Sequence, residues 1–199
     1  MEKKIIVLAT SNQHKVKEMN FLLSKYGYKI ISLDDLNLKI DKEETGKTFK
    51  DNALIKARDI SEKTSYPVIA DDSGLSINAL NGFPGIYSAR FMEDKSHKEK
   101  CIALNEMLKD TDDKSCSFFC AVAYIDKANN IEKVFIGETK GRLMPEYDDN
   151  AIDKFGYDPC FFSNDLGKTF GSSTPEEKGS VSHRSRAINL LIEFLEGKK

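Results

Sequence analysis

Residues 5–9, IIVLA, form an unbroken apolar run that no alternating polar face interrupts. Such a run suits a strand buried on both sides. TSN follows directly, and Ser11 and Asn12 are both good helix caps. Val16, Met19, Leu22, Leu23 and Tyr26 then recur at helical spacing as far as Gly27, and KIISL reads as a second strand. A doubly buried strand needs cover on both faces. This strand–helix–strand opening therefore points to an α/β fold.

The remainder extends that reading. Residues 34–47 are acidic and irregular. The spacing of Phe49, Ala53, Ala57 and Ile60 predicts a helix over Thr48–Lys63. VIADD and LSINAL read as two short strands, and NGFPGIYS as a Gly/Pro-punctuated loop. A further helix is expected over residues 97–109, with Ile102, Met107 and Leu108 apolar. CSFFCAVAYI and IEKVFIGETKGRL flank the turn signal KANN, a hairpin pattern. FGYDPCFF passes from loop into strand, and a last helix is expected over Ser182–Glu196. The central hairpin makes a long mixed β-sheet flanked by helices the expected architecture. The length suits a single domain, 1–199, or two lobes sharing one core.

Bulk properties exclude several classes. No apolar run approaches the ~20 residues that a membrane helix needs, and the run in MEKKIIVLAT is too brief for a signal-peptide core. A net charge of −2 argues against broad capture of nucleic acid. Cys101, Cys116, Cys120 and Cys160 contain no Cys-x-x-Cys pair, and three histidines accompany them, so structural zinc is not expected. Cys116 and Cys120 would share a strand face as buried thiols, which suits a reducing, cytoplasmic setting.

Several segments carry possible chemistry. GKT occurs at residues 46–48 and 167–169, but the glycine that a phosphate-binding Walker loop places five residues earlier is Asp41 or Phe162. That reading is rejected. ATSNQHK sits at a strand-to-helix junction, where amides and dipole favour an anion. Thr10, Ser11 and Asn12 add donors there, and Lys15 adds charge; the alternative is a plain cap with a surface lysine. Two acidic pairs, Glu43/Glu44 and Asp71/Asp72, flank the helix that carries Lys56. They are either solvated turns or hard oxygen ligands of the kind Mg²⁺ takes together with substrate phosphates. Asp71 and Asp72 would face opposite ways if the strand continued through them. KFGYDP offers Phe155, Gly156, Tyr157 and Asp158, with an aromatic ring available to stack on a base. EEKGSVSHRSRA gathers Lys178, His183 and Arg184 near a helix start, either as an electropositive spot or as solvated surface.

Taken in order, LATSNQHKVKE, EETGKTFKDNALIKA, ADDSGLSINALNGFPGIYSARF, FGYDPCFF and EEKGSVSHRSRA closely resemble the Ham1 family of inosine triphosphate pyrophosphatases. The resemblance runs from residue 8 to residue 187. It implies a homodimeric α/β protein with a mixed sheet and a cleft between two lobes. It also implies Mg²⁺-dependent hydrolysis of ITP, dITP and XTP to the monophosphate and pyrophosphate. Carried over by position, Thr10 to Lys15 would hold the triphosphate and Lys56 would add positive charge. Glu43 and Asp72 would bind metal, with Glu44 and Asp71 as plausible second carboxylates. Asp72 would also be the general base, and Ser73 would contact substrate. Phe155 to Asp158 would hold the base and sugar, and Lys178, His183 and Arg184 would complete the site. Arg184 would be a donor to the 6-oxo group that separates hypoxanthine and xanthine from adenine. The chain departs from the family pattern at GSSTPEEK, at Ser185 and at Cys160. Two rivals are a Maf-like nucleotide pyrophosphatase, disfavoured by SHR and FGYD, and a nucleotide-binding sensor without catalysis, disfavoured by intact Glu43, Asp72 and Lys15.

Overall fold

In the computed structural model, which describes residues 4–197, the opening motif forms as expected. Strand β1 (Lys4–Leu8) leads into helix α1 (Gln13–Ser24), and strand β2 (Tyr28–Ser32) returns parallel to β1. Asn12 caps α1 by accepting from the His14 and Lys15 amides. Gly27, at φ +79°, makes the left-handed turn into β2. Helix α2 (Phe49–Ser61) follows, capped by Thr48 through the Asp51 amide. Strand β3 is a single strand over Val68–Ile77, parallel to β1. VIADD and LSINAL are thus not two strands, and the tandem aspartates lie mid-strand rather than at a strand's end.

The other elements are α3 (His97–Met107), β4 (Ser115–Asp126), β5 (Ile131–Leu143), β6 (Phe161–Ser163), β7 (Lys168–Thr169), α4 (Pro175–Val181) and α5 (His183–Leu195). The strands form one mixed sheet of order β2-β1-β3-β4-β5-β6-β7. The pairs β5–β6 and β6–β7 are antiparallel. The predicted hairpin is β4–β5, and its turn closes with the Asn130 amide donating to the Lys127 carbonyl. The expected last helix is α5, and a short helix outside that expectation, α4, precedes it with Ser182 between them. Thr174-Pro-Glu-Glu is a capping box with proline in the first turn, a start signal that the sequence reading passed over. Among the described residues, no helix is long and apolar enough to cross a membrane.

The chain divides into two compact units. Among the described residues, the first comprises 4–72, Cys120–Gly137 and 184–197. Its strands alternate strictly between two apolar clusters. Ile6, Leu8, Ile69, Cys120, Val122 and Tyr124 face α1 and α5, meeting Met19, Leu22, Leu23, Ile188 and Leu191. Val7, Ala9, Val68, Ala70, Ala121, Ala123 and Ile125 face α2, meeting Ala53, Leu54, Ala57 and Ile60. This double cover is the physical reason for the unbroken IIVLA run.

The second unit comprises Ser73–Phe119 and Glu138–His183. Leu75, Ile77, Leu104, Leu108, Phe118, Leu143, Phe161 and Phe170 pack together in its core. The Phe118, Phe161 and Phe170 rings meet at centroid distances of 4.6–6.0 Å. Gly141 lies where a Cβ would land on the Phe162 carbonyl and the Phe161 ring, so only glycine permits this approach of β5 to β6. Cys101 on α3 and Cys160 form a disulfide. The sequence reading left them unpaired, because a separation of 59 residues carries no pairing signal. Cys116 and Cys120 are buried free thiols, each pushed up to about 12 chiefly by burial.

Candidate functional site

The alternation of β3 sends its two aspartates to opposite faces of the sheet. Asp71 continues the face of Ile69 toward α1 and α5, and Asp72 continues the face of Ala70 toward α2. Asp71 is fully buried. Its Oδ2 lies 2.9 Å from Lys15 Nζ on α1 and 3.1 Å from Arg184 Nη2 on α5. Arg184 Nε also donates to it at 3.4 Å, and Arg184 Nη1 donates to Glu18 at 2.6 Å. Burial alone would push the Asp71 carboxyl up, but Lys15, Arg184 and Lys56 together hold it well below the usual carboxylate range. The Arg184 guanidinium is buried too, and Glu18 and Asp71 outweigh that burial to hold its proton more tightly than usual.

Asp72 has different company. Its Oδ2 accepts from Asn52 Nδ2 at 3.1 Å, and its Oδ1 is 3.8 Å from Lys56 Nζ. Lys56 also pairs with Glu44 at 2.7 Å. Burial dominates at Asp72 and raises its carboxyl above the ordinary value, against the opposing pull of Lys56 and Lys15. Lys56 is raised: its own burial is outweighed by Asp72, Asp71 and Glu44. Glu44 rather than Glu43 is therefore the acid brought to Asp72. Glu43 is exposed, and its carbonyl accepts from the Thr45 amide.

Among the described residues, no group of three or more His, Cys, Asp or Glu side chains is arranged to hold a metal ion. The pair Glu44 and Asp72 still fits Mg²⁺, which uses one or two carboxylates and completes its shell with water and phosphate oxygens. Lys56 already bridges these two acids as a cation. Asp71, the other plausible carboxylate, already has two cations on its Oδ2.

At the start of α1, Thr10 Oγ1 accepts from the Asn12 amide at 3.2 Å, and Ser11 is exposed. In part this is the plain cap, but Lys15 is no surface lysine: it is tied to Asp71. The first GKT sequence has an equally local use, because its threonine caps α2. In the second, Lys168 pairs with Glu177.

The second unit holds the other predicted residues. Ser73 is half-buried on β3. Tyr157 is buried, its hydroxyl donating to the Ser88 carbonyl at 2.9 Å. Burial raises its phenol. Phe155 is half-buried and meets the His97 ring edge-on at 5.5 Å. Gly156 takes φ +59°, and its amide lies 3.1 Å from His97 Nδ1. Asp158 accepts from Lys178 at 2.5 Å, with Asp153 at 3.7 Å from the same ammonium. His183 stacks on Phe118 at 4.7 Å. The expected electropositive spot is therefore not formed as such. Lys178 is neutralised by acids in the second unit, and Arg184 by acids in the first.

Sequence reasoning missed Asn52 and Glu18. Their spacing was the available signal: Asn52 is one helical turn before Lys56, and Glu18 is three residues after Lys15.

β1 and β3 are paired in parallel at Val7–Val68 and Leu8–Ile69, and Thr10–Lys15 and Asp71–Asp72 both lie just beyond those pairs. Parallel strands covered by helices on both faces define an α/β protein. The comparisons carry this to a family. The Ham1 family matches residues 6–194, and the chain belongs to it. It is 42% identical over 197 residues to a dITP/XTP pyrophosphatase of Leptospira interrogans, covering 98% of this chain and 99% of that protein. A dITP/XTP pyrophosphatase of Dictyoglomus thermophilum is 43% identical over 199 residues, covering 98% and 96%. The solved Ham1 protein of Staphylococcus aureus superposes with a TM-score of 0.85 at 40% identity, covering 98% of this chain and all of that one. The HAM1 protein of Coxiella burnetii gives 0.86 at 36% identity, covering 98% and 99%.

Proposed function

We propose that the protein hydrolyses ITP, dITP and XTP to the monophosphate and pyrophosphate. Family membership and the names of its full-length relatives support this reading. The structural observation that carries it is the division of labour at Asp71–Asp72: one carboxylate with two fixed cations on its Oδ2, the other beside Glu44 and Lys56.

The first unit handles the phosphates. Asp71 fixes the Lys15 ammonium next to the Thr10–Asn12 turn, so a polyanion meets a positioned charge. Asp72 accepts a proton from the attacking water. A carboxyl raised by burial is a stronger base than an ordinary one, which suits that task. Lys56 is already directed at Glu44 and Asp72 and holds the two acids together. Glu44 and Asp72 would hold Mg²⁺, which when bound neutralises phosphate charge and stabilises the leaving pyrophosphate. The family resemblance assigns the base to Phe155 and Gly156. We assign Arg184 to holding Asp71 and Glu18 rather than to reading the 6-oxo group, because all three of its nitrogens already donate to acids. A cytoplasmic homodimer, which the family resemblance implies, belongs to the same proposal; light scattering tests the assembly.

The test is pyrophosphate release from dITP, XTP, ITP, dUTP, ATP and GTP, with Mg²⁺ and with a chelator. The proposal expects release from the first three only, lost on chelation and restored by Mg²⁺. Binding without release would make the chain a sensor, and preference for dUTP would make it Maf-like.

A further inference from the structure

We propose that Asn52 is a positioning residue that locks the Glu44 loop to Asp72, and so sets the distance between the two metal-binding carboxylates. The proposal rests on the function proposed above. Asn52 is wholly buried on the inner face of α2. Its amide is used at both ends. Nδ2 donates to Asp72 Oδ2 at 3.1 Å, and Oδ1 accepts from the Gly46 amide at 2.9 Å. Those bonds fix the orientation of the amide, since swapping its ends would set a donor against a donor and an acceptor against a carboxylate.

Lys56, one turn later on the same face, makes a parallel link. It pairs with Glu44 at 2.7 Å and lies 3.8 Å from the other oxygen of Asp72. Helix α2 thus ties the loop to the strand twice. One tie runs through a neutral amide from Gly46 to Asp72 Oδ2, and the other through a cation from Glu44 to Asp72 Oδ1. The two ties differ in one respect. A metal ion entering between Glu44 and Asp72 competes with the Lys56 cation for the same carboxylates, whereas the amide tie carries no charge and persists. Asn52 is therefore the tie that holds the loop while the metal binds.

Gly46 supports this independently. A Cβ there would come within 2.6 Å of Asn52 Oδ1 and 2.5 Å of Asp51 Cβ, so the backbone is seated directly on the asparagine. Asn52→Ala removes both halves of the tie. Asn52→Asp keeps the acceptor for Gly46 and removes the donor to Asp72. Gly46→Ala unseats the loop and leaves Asn52 intact.

The experiment measures Mg²⁺ affinity by calorimetry, and kcat and KM for dITP, on wild type, the three single variants and the Asn52→Ala/Gly46→Ala double variant. All are held well below their unfolding temperatures. Losing a partner that orients a metal ligand typically costs about 10–100-fold in affinity or activity. We expect Asn52→Ala and Gly46→Ala each to weaken Mg²⁺ by that factor and to lower kcat with little change in KM for dITP. The double variant should be no worse than the poorer single, because both break one tie. Asn52→Asp secures the test if Asn52→Ala fails to fold: it should hold the loop yet lower kcat. Wild-type Mg²⁺ affinity and kcat in folded Asn52→Ala or Asn52→Asp would overturn the inference, as would additive losses in the double variant. A wild-type protein that releases no pyrophosphate from any purine triphosphate would instead overturn the proposed function.

Discussion

Neutralising each of the adjacent aspartates in turn should give opposite phenotypes. In Asp71→Asn the side chain keeps its size but loses the charge that Lys15 and Arg184 share. Breaking a buried ion pair on one side costs about 3–5 kcal/mol, because the partner charge stays buried. Arg184 keeps Glu18 at 2.6 Å, and the Lys15 side chain is 14% exposed, so the lower end applies, about 3 kcal/mol. For a domain of this size each kcal/mol moves Tm by about 2–4 °C, giving a fall of roughly 6–12 °C. Asp72→Asn removes a carboxylate whose burial already disfavours its charged form. Its oxygen can still accept from Asn52, and Lys56 keeps Glu44. Its stability should stay within about 1 kcal/mol of wild type. Its turnover should fall by about 100-fold or more, the scale of a lost general base. The assays are calorimetric unfolding at neutral pH and steady-state pyrophosphate release from dITP. An Asp71→Asn protein with wild-type Tm would refute the reasoning, as would an Asp72→Asn protein with wild-type turnover or the larger loss of stability.

Acid titration separates the same two groups. The folded Asp71 carboxyl titrates below its unfolded value of 3.8, so its stabilisation is fully present above that value and is lost as pH falls through the folded one; Asp71→Asn should lack this acid-labile component of Tm. Asp72 titrates above 3.8, so kcat/KM should fall on acidification with an apparent pKa above an ordinary aspartate, and higher Mg²⁺ should move that limb to lower pH. Phe155→Ala should raise KM for dITP by roughly 5- to 150-fold, since stacking a base on a ring contributes about 1–3 kcal/mol, while Tm changes little; an unchanged KM would remove Phe155 from base binding. Gly141→Ala should destabilise the second unit by about 3 kcal/mol, the upper end for overpacking, because the atom in the way is the Phe162 backbone carbonyl; urea unfolding followed by the near-ultraviolet signal measures this.

What could be read in advance follows from how far each signal reaches along the chain. IIVLA, the Asn12 cap and Gly27 are local, and they specify the β1–α1–β2 opening before any tertiary contact exists. The period-two alternation is local as well. It made the opposed aspartates a conditional expectation, but the condition was the continuity of β3 through Asp-Asp-Ser-Gly. Turn-forming residues argued against that continuity, and the packing of Ala70 against α2 and Leu75 into the second core overrode them. Charge partners lie at the other extreme. That Lys15 and Arg184 converge on Asp71 depends on α1 and α5 covering one face of the sheet, with 113 residues separating Asp71 from Arg184. No motif encodes that distance. The expectation that Lys178, His183 and Arg184 gather as one electropositive spot followed from their closeness in sequence, although the boundary between the two units falls between His183 and Arg184. The choice of Glu44 over Glu43 has the same origin. Two adjacent acids in an irregular loop look alike until Lys56 reaches one of them, and Asn52, holding Gly46, decides which one that is.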